Sequence, residues 1–233
     1  MESLHSFLLI GQSNMAGRGE LSEAAHIDES HIKTLRNGRW QPMFRPINPD
    51  RSFSGVSLAE SFAEKYAEKF GVDVGLICCA DGGTSLEEWK KGSLLYDNAV
   101  YQTELATRTS SLAGILWHQG EADCEESLAR TYKIRFEKML SALRKDLNAF
   151  GIPVLIGGLG DYFKDSKTLK TQRNYYIVNE QLRQIAKENE MVGYVSADGL
   201  TSKEDGLHFD SKSLYEFGLR YFNEYLKIYE KVD

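Results

Sequence analysis

The chain has 233 residues, of which 42% are hydrophobic and only four are proline, so we expect an ordinary globular protein with a sizeable core. Its formal net charge is −6, and no dense run of lysine and arginine offsets it, which argues against a nucleic-acid partner. No apolar stretch approaches the roughly 20 residues of a membrane-spanning helix, and the first residues lack a basic start. We therefore expect a cytoplasmic protein with no signal peptide and no membrane partner.

The first predicted element is a strand over residues 7–10, where four large apolar residues in a row are typical of a strand buried on both faces. It leads into Gly11-Gln12-Ser13-Asn14, small and polar residues that suit a tight turn and the start of a helix. Ser13 would then stand at the carboxyl end of a central strand, where open α/β sheets bind ligands, with free helix amides beside it for an anion. This position favours a nucleophile that attacks an ester, although a serine here can also simply cap the helix.

The remainder of the chain alternates predicted helices and strands. Residues 18–54 lack a regular pattern and are predicted to form a long irregular loop. Apolar spacing predicts helices over residues 56–70, 97–111, 124–149, 171–189 and 212–230, and further strands over residues 72–80, 112–117, 153–159 and 191–195. Because this alternation is typical of parallel sheets, we predict one α/β domain over residues 1–233. The expected architecture is a three-layer α/β/α sandwich around a flavodoxin-like, five-stranded parallel sheet with strand order 2-1-3-4-5.

The three cysteines, Cys78, Cys79 and Cys124, are an odd number without Cys-x-x-Cys spacing. They fit neither a disulfide framework nor a zinc site, and the adjacent Cys78 and Cys79 are poorly placed to bridge each other. We interpret them as small core or surface residues of a protein from a reducing compartment.

Four polar turns follow predicted strands, at residues 11–14, 81–85, 118–123 and 205–210. In a parallel sheet these turns meet at one edge. Acyl transfer needs a hydroxyl, an imidazole that takes its proton, a carboxylate that orients the imidazole, and donors for the oxyanion. The expected oxyanion donors are the backbone amides of Ser13 and of Gly82 or Gly83, and the side-chain amide of Gln119. His118 adds a second imidazole at this edge, either as a competing base or as a structural residue.

Four short segments carry a family resemblance: Gly11-Gln12-Ser13-Asn14-Met15 with Gly17, Gly82-Gly83-Thr84-Ser85, Trp117-His118-Gln119-Gly120-Glu121-Ala122-Asp123, and Asp205-Gly206-Leu207-His208-Phe209. In this order they resemble the SGNH hydrolases, and within them the carbohydrate O-acetylesterase branch that includes acetylxylan and sialate O-acetylesterases. The first segment differs from the Gly-x-Ser-x-Gly elbow of the α/β-hydrolases, which disfavours that fold.

The resemblance implies a serine esterase that removes O-acetyl groups from a carbohydrate of the acetylxylan or sialate type, without a metal or cofactor. It implies Ser13 as nucleophile, His208 as general base and Asp205 as the carboxylate that orients His208. In the wider superfamily the third segment supplies an asparagine to the oxyanion hole. This chain has Gln119 in the corresponding turn, as is typical of the acetylesterase branch. The implied partner is a small molecule, an O-acetylated sugar or oligosaccharide.

Several polar and aromatic side chains near these segments are candidates for binding the sugar. The candidates are Gln12, Asn14 and Glu121 in the motifs, and Arg18, Trp40, Arg45 and Trp89 outside them. Core packing is the competing interpretation for the tryptophans, and a solvated surface position is the competing interpretation for the arginines. Glu121 can instead cap the next helix or act through Gln119.

Three other functions are compatible with parts of this sequence. The Ser13-Asn14 turn could hold a phosphate in a non-catalytic binding module, but such a module has no use for Asp205 and His208. A catalytically inactive, glycan-binding relative is a second alternative. Within the enzymes, the alternative is a short-chain lipid esterase or thioesterase, which would need an apolar acyl pocket. The sequence predicts neither the oligomeric state nor which acetylated sugar is used.

Overall fold

The computed structural model describes residues 4–232, and within them one sheet contains seven strands. In chain order these are β1 Leu4–Gly11, β2 Ile32–Arg36, β3 Arg39–Pro42, β4 Asp73–Cys78, β5 Ser111–His118, β6 Val154–Gly157 and β7 Val192–Val195. The spatial order is β3-β2-β4-β1-β5-β6-β7, and every neighbouring pair is parallel except β2 and β3. β1 therefore lies in the interior of the sheet, hydrogen-bonded to β4 on one side and β5 on the other.

Helices cover both faces of this sheet. They are α1 Ser13–Ala16, α2 Leu58–Phe70, α3 Leu94–Ala106, α4 Glu126–Arg130, α5 Tyr132–Asp146, α6 Tyr175–Glu188 and α7 Ser211–Val232. Successive side chains of a strand point to opposite faces, so Phe7 and Leu9 pack with α2 and α7, whereas Leu8 and Ile10 pack with α3, α5 and α6. The predicted three-layer α/β/α class is confirmed. None of the helices within residues 4–232 combines the length and the apolar character that crossing a bilayer requires.

The predicted strand count of five was wrong, because residues 18–54 are not wholly irregular. They contain the β2–β3 hairpin, whose turn residues Asn37 and Gly38 have φ values of 51° and 71°. An Asn-Gly pair is a strong local signal for this type of hairpin turn. The five strands that were predicted keep the expected order, and the hairpin extends the sheet beyond β4, where Ile32 pairs with Val74.

The predicted helix over residues 124–149 is two helices. Thr131 has a φ of −103° and a ψ of 5°, outside helical geometry, and it separates α4 from α5. The helix predicted over residues 97–111 begins at Leu94 and ends at Ala106. The single-domain prediction covers residues 1–3 and 233 as well, which lie outside the described residues.

The carboxyl end of β1 is the point from which the site is built. Gly11 has a φ of 129°, and a Cβ atom on it would lie 2.1 Å from the carbonyl oxygen of His118 at the end of β5. Only glycine fits so close an approach of two strand ends. α1 begins two residues later, at Ser13.

Candidate active site

Ser13, His208 and Asp205 form a continuous hydrogen-bonded chain at the carboxyl edge of the sheet. Ser13 Oγ lies 3.0 Å from His208 Nε2, and His208 Nδ1 lies 2.8 Å from Asp205 Oδ2. Since a carboxylate accepts the Nδ1–H proton, Nε2 of the neutral imidazole is left to accept the Ser13 hydroxyl proton. Hydroxyl, imidazole and carboxylate thus have the mutual geometry of a nucleophile, its base and an orienting group.

The Asp205 carboxylate is held in place by backbone as well as by the imidazole. Its Oδ1 accepts the amide hydrogens of Leu207 at 2.8 Å and His208 at 2.9 Å. Partial burial acts to raise the pKa of Asp205, but the hydrogen bonds from His208 and Leu207 outweigh it and hold that pKa below the ordinary carboxyl value. Asp205 is therefore ionised at neutral pH and can stabilise an imidazolium on His208.

Asn14 connects the serine turn with the histidine turn. Its side chain is fully buried, and its Oδ1 accepts the amide hydrogen of Phe209 at 3.1 Å. Its Nδ2 donates to the carbonyl oxygen of Leu207 at 3.4 Å and to Glu121 Oε1 at 2.6 Å. Asn14 thereby bonds the backbone on both sides of His208, which fixes the imidazole relative to the neighbouring Ser13.

The predicted substrate contacts from Gln12, Asn14 and Glu121 are not supported, because all three side chains are buried with protein partners. Gln12 Oε1 accepts the amide hydrogens of Gly120 at 3.4 Å and Ala122 at 3.3 Å. Glu121 accepts from Asn14. These residues join the first and third motif segments to each other.

His118 occupies a structural position instead of that of a competing base. It is fully buried beneath Phe209 and Phe217, with Nε2 3.2 Å from the carbonyl oxygen of Gly158. Burial lowers the pKa of His118, which keeps the imidazole neutral. Its Nδ1 lies 3.7 Å from Glu121 Oε1.

The expected oxyanion donors differ in whether their hydrogens are free. Among the described residues, the backbone amides of Ser13 and Gly83 have no acceptor. The amide of Gly82 donates to Asp50 Oδ2 at 2.8 Å, so it is already engaged. A Cβ atom on Gly82 would lie 2.4 Å from Arg18 Nη2, so a larger residue here would displace the Arg18 side chain. Gly83 has a φ of 80°, and a Cβ atom there would have no neighbour within 4 Å, so its surroundings are open.

Gln119 is likewise engaged, and its predicted role as a direct oxyanion donor is not supported. Its Nε2 donates to the carbonyl oxygen of Thr84 at 3.1 Å and to Asp123 Oδ2 at 2.6 Å, which uses both hydrogens. Its Oε1 accepts from the Tyr132 hydroxyl at 2.9 Å. The same Asp123 oxygen accepts the amide hydrogen of Leu86 at 2.7 Å. Gln119 and Asp123 therefore hold the glycine turn that follows β4.

A buried ion pair that the sequence did not reveal stands beside this turn. Arg18 donates to Asp50 through Nη1 at 2.9 Å and Nη2 at 2.7 Å, and both side chains are largely shielded from solvent. Burial acts to raise the pKa of Asp50, but the hydrogen bonds from Arg18, Ser54 and Gly82 lower it below the ordinary value. Asp50 lies in the segment predicted to be irregular, where no periodic pattern singles out one polar residue.

A pocket of about 510 Å³ opens beside His208 and Asp205. Its lining mixes the apolar side chains of Leu21 and Phe53 with polar ones, which include Arg18, Ser54 and Lys203. Arg18 is thus at the pocket as predicted, although its guanidinium is committed to Asp50. Phe53 was not among the predicted sugar contacts, because an aromatic residue in an irregular segment carries no sign of which way it faces.

The other predicted sugar contacts lie away from this pocket. Trp89 is buried and donates to Thr84 Oγ1 at 3.1 Å. Trp40 lies on the edge strand β3, where its ring covers Gly75. Arg45 pairs with Glu60 at 2.6 Å. Core packing or structural pairing is therefore the better interpretation of all three.

The cysteines have no part in the site. Cys78, Cys79 and Cys124 are all free thiols, and burial raises the pKa of Cys79 to about 12. No group of three or more His, Cys, Asp or Glu side chains within the described residues could hold a metal ion.

Comparisons with a protein-family model, with curated proteins and with solved structures each find similarity over most of this chain. A family model described as carbohydrate esterase, sialic acid-specific acetylesterase, matches residues 3–227. A protein of Arabidopsis thaliana named "Probable carbohydrate esterase" is 29% identical over 246 aligned positions, which cover 94% of this chain and 89% of that protein. A crystal structure of an Arabidopsis thaliana protein superposes with a TM-score of 0.85 at 27% identity, covering 97% of this chain and 99% of that one.

Two more distant structures share the fold. NanS superposes with a TM-score of 0.77 at 17% identity, covering 99% of this chain and 98% of that one. A carbohydrate acetylesterase from Xanthomonas citri superposes with a TM-score of 0.67 at 15% identity, covering 94% of this chain and 55% of that one.

Proposed function

The chain belongs to the carbohydrate esterase family of sialic acid-specific acetylesterases, and on that premise we propose that Ser13, His208 and Asp205 remove O-acetyl groups from a sugar or oligosaccharide. The observation that carries the proposal is the hydrogen-bonded chain from Ser13 Oγ through His208 to Asp205, with links of 3.0 and 2.8 Å. Family membership makes the protein a carboxylic ester hydrolase, and the roles of these three residues are our assignment.

In the first step His208 Nε2 accepts the hydroxyl proton of Ser13 while Oγ attacks the acetyl carbonyl carbon. A bond forms between Oγ and the carbonyl carbon, and the electron pair of the C=O bond moves to its oxygen. The ionised Asp205 stabilises the imidazolium on His208 and keeps the ring in the tautomer that started the reaction.

The oxyanion of this intermediate is assigned to the backbone amides of Ser13 and Gly83. Both are free of acceptors among the described residues, and Ser13 lies at the amino-terminal end of α1. The Gly82 amide and the Gln119 side chain are less suited, because each already donates to a protein acceptor. Preformed donors of this kind typically contribute on the order of 10² to 10³ in kcat each.

Collapse of the intermediate breaks the bond between the carbonyl carbon and the sugar oxygen. His208 gives its proton to that oxygen, so the sugar leaves as an alcohol and the acetyl group stays on Ser13. A water molecule then loses a proton to His208 and attacks the acetyl-enzyme, which releases acetate and restores the Ser13 hydroxyl.

The proposed substrate is an O-acetylated sugar of the sialate or xylan type. Support comes from the family and from the serines and charged side chains in the lining of the pocket beside His208. A short-chain lipid esterase would need an apolar acyl pocket instead. Hydrolysis should therefore be faster for an acetyl ester than for a longer acyl ester of the same alcohol.

The test is hydrolysis of p-nitrophenyl acetate and of an O-acetylated sugar by the wild type, Ser13→Ala and His208→Ala, with folding checked by circular dichroism. Each substitution in a working triad should lower kcat by about 10⁴- to 10⁶-fold. His26→Ala, at an exposed histidine, is the matched control and should retain wild-type activity. Folded variants that keep the wild-type rate would refute the assignment, and faster hydrolysis of longer acyl chains would favour the lipid esterase.

A further inference from the structure

The turn over residues 50–55 is hydrogen-bonded to the residues that follow α1 and to the glycine turn that follows β4. Asp50 bonds Arg18, which follows α1, and also accepts the Gly82 amide of the turn after β4. Arg51 donates to Asp81 Oδ1 at 2.6 Å and to the carbonyl oxygen of Gly82 at 2.8 Å. The turn therefore has a fixed position relative to both Ser13 and the glycine turn.

The far end of the same turn is held by backbone contact. The Gly55 amide donates to the carbonyl oxygen of Gly17 at 3.1 Å, and a Cβ atom on Gly55 would lie 1.9 Å from the carbonyl oxygen of Gly19. Ser54 Oγ donates to Asp50 Oδ1 at 2.7 Å across the turn. Because Asp50, Arg51, Ser54 and Gly55 are all hydrogen-bonded, the backbone of the turn is fixed. The direction in which its other side chains point is therefore fixed as well.

Phe53 is the side chain that this turn presents. It is 67% exposed, yet it lines the same pocket as His208 and Asp205. The guanidinium carbon of Arg18 lies 5.3 Å from the centre of its ring, within cation–π range. Single exposed apolar side chains are common on protein surfaces, but this ring lines the pocket that also contains His208 and Asp205, where it offers an apolar face to a bound molecule.

The polar groups around the ring indicate what that ligand is. Ser22, Ser52, Glu20 and Lys203 share the pocket, and they supply hydroxyl, carboxylate and ammonium groups. Lys203 Nζ donates to the carbonyl oxygen of Arg18 at 3.0 Å and pairs with Glu20, which keeps this rim together. An aromatic face surrounded by donors and acceptors of both kinds suits a sugar, whose ring has an apolar C–H face and a rim of hydroxyls.

We propose that Phe53 is the platform on which the sugar ring of the acetylated substrate rests while its acetyl group reaches Ser13. This inference rests on the proposed function and adds the subsite for the alcohol half of the ester. The sugar leaves from Phe53 after His208 protonates its oxygen, while the acetyl group stays on Ser13. Phe53 then decides which alcohols are accepted and takes no part in proton transfer.

The experiment compares an O-acetylated monosaccharide with ethyl acetate, which lacks a sugar ring, in the wild type, Phe53→Ala and Phe53→Tyr. The measured quantity is the ratio of kcat/KM for the sugar acetate to kcat/KM for ethyl acetate. Phe53→Ala should lower this ratio by about 3- to 30-fold, mainly through a higher KM for the sugar acetate, as expected for loss of one ring contact. Phe53→Tyr keeps the ring and should retain the ratio.

Phe44→Ala is the matched control. Phe44 is also a half-exposed phenylalanine near an arginine, with Arg36 3.8 Å from its ring centre, but it does not line the pocket. Its removal should leave the ratio at the wild-type value. An unchanged ratio in Phe53→Ala would overturn the proposal, as would a selective loss of activity on butyrate esters, which would make Phe53 part of an acyl site. Either result would leave Ser13-dependent hydrolysis intact, whereas failure of the proposed function would abolish that dependence.

Discussion

At the scale of single residues, the buried Asn14 side chain fixes the backbone on both sides of His208, the proposed general base, without contacting its imidazole. Its three hydrogen bonds go to Glu121 and to the backbone of Leu207 and Phe209, on either side of His208. No atom of Asn14 needs to contact substrate for its loss to displace the imidazole. A displacement of about 1 Å at a reacting group can cost on the order of 10² in rate.

Asn14→Ala should therefore lower kcat for p-nitrophenyl acetate by about 10²-fold with little change in KM. It should also lower the free energy of unfolding by about 1–3 kcal/mol, because it leaves buried partners unpaired. Steady-state kinetics and urea unfolding measure the two effects.

Asn179→Ala is the matched control for this prediction. Asn179 is buried and bonds both the amide and the carbonyl of Leu159, at 2.7 and 3.0 Å, rather than the backbone of the histidine turn. It should show a similar loss of stability with kcat close to that of the wild type. Equal losses of kcat in both variants would show that Asn14 acts on overall stability alone.

At the scale of elements, the serine that caps the start of α2 also makes a contact with another helix. Ser57 and Glu60 form a reciprocal capping box at this end of the helix. Ser57 Oγ also donates to the carbonyl oxygen of Met15 at 2.8 Å, which joins α2 to the end of α1. Burial raises the pKa of Glu60, and its partner is Arg45 at 2.6 Å.

Ser57→Ala should lower the free energy of unfolding by about 1–2 kcal/mol, because it removes a helix cap together with a buried hydrogen bond. Ser93→Ala is the comparison, since Ser93 precedes α3 without a side-chain capping bond. Its hydroxyl donates to the carbonyl oxygen of Glu88 at 2.6 Å, but this bond is exposed to solvent, so the change in stability should be less than about 0.5 kcal/mol. Urea unfolding followed by circular dichroism measures both. Similar values for the two serines would contradict a specific contribution from the cap.

At the scale of the whole molecule, the Arg18–Asp50 pair ties together three segments that are distant in the chain. It joins the residues after α1 to the turn over residues 50–55 and, through the Gly82 amide, to the turn after β4. Because the folded pKa of Asp50 is below its unfolded value, the native state binds fewer protons than the unfolded state in acid. Asp50 therefore stabilises the fold above its unfolded pKa of about 4, and that contribution is lost as pH falls through the folded value.

Asp50→Asn should weaken this acid dependence. The free energy of unfolding, measured by urea at a series of pH values between about 7 and 3, should fall less steeply for the variant than for the wild type. At neutral pH the variant should be less stable by about 3–5 kcal/mol, because Arg18 is left buried without its counter-charge. Asp165→Asn, at an exposed aspartate, should follow the wild-type curve, and parallel curves for Asp50→Asn and the wild type would contradict the argument.

Local patterns in the sequence are sufficient to predict a large part of this fold. Continuous apolar runs identify β1, β4, β5, β6 and β7, and their alternation with amphipathic helices is sufficient to predict the layers and the order of these five strands. The same alternation predicts that the Ser13 turn and the histidine turn lie at one edge of the sheet, because parallel strands bring their carboxyl ends together. The hairpin of β2 and β3 had only the short Asn37-Gly38 signal, and it was missed.

Which polar groups at that edge are free depends on contacts between segments that are distant in the chain. The Gly82 amide is engaged by Asp50, 32 residues away, and the Asn14 side chain by Glu121, 107 residues away. The exposure of Phe53 was equally beyond local patterns. The physical reason is that local spacing predicts which face of an element is apolar, whereas the partner of a hydrogen bond and the exposure of a loop side chain depend on contacts that form only when distant segments meet.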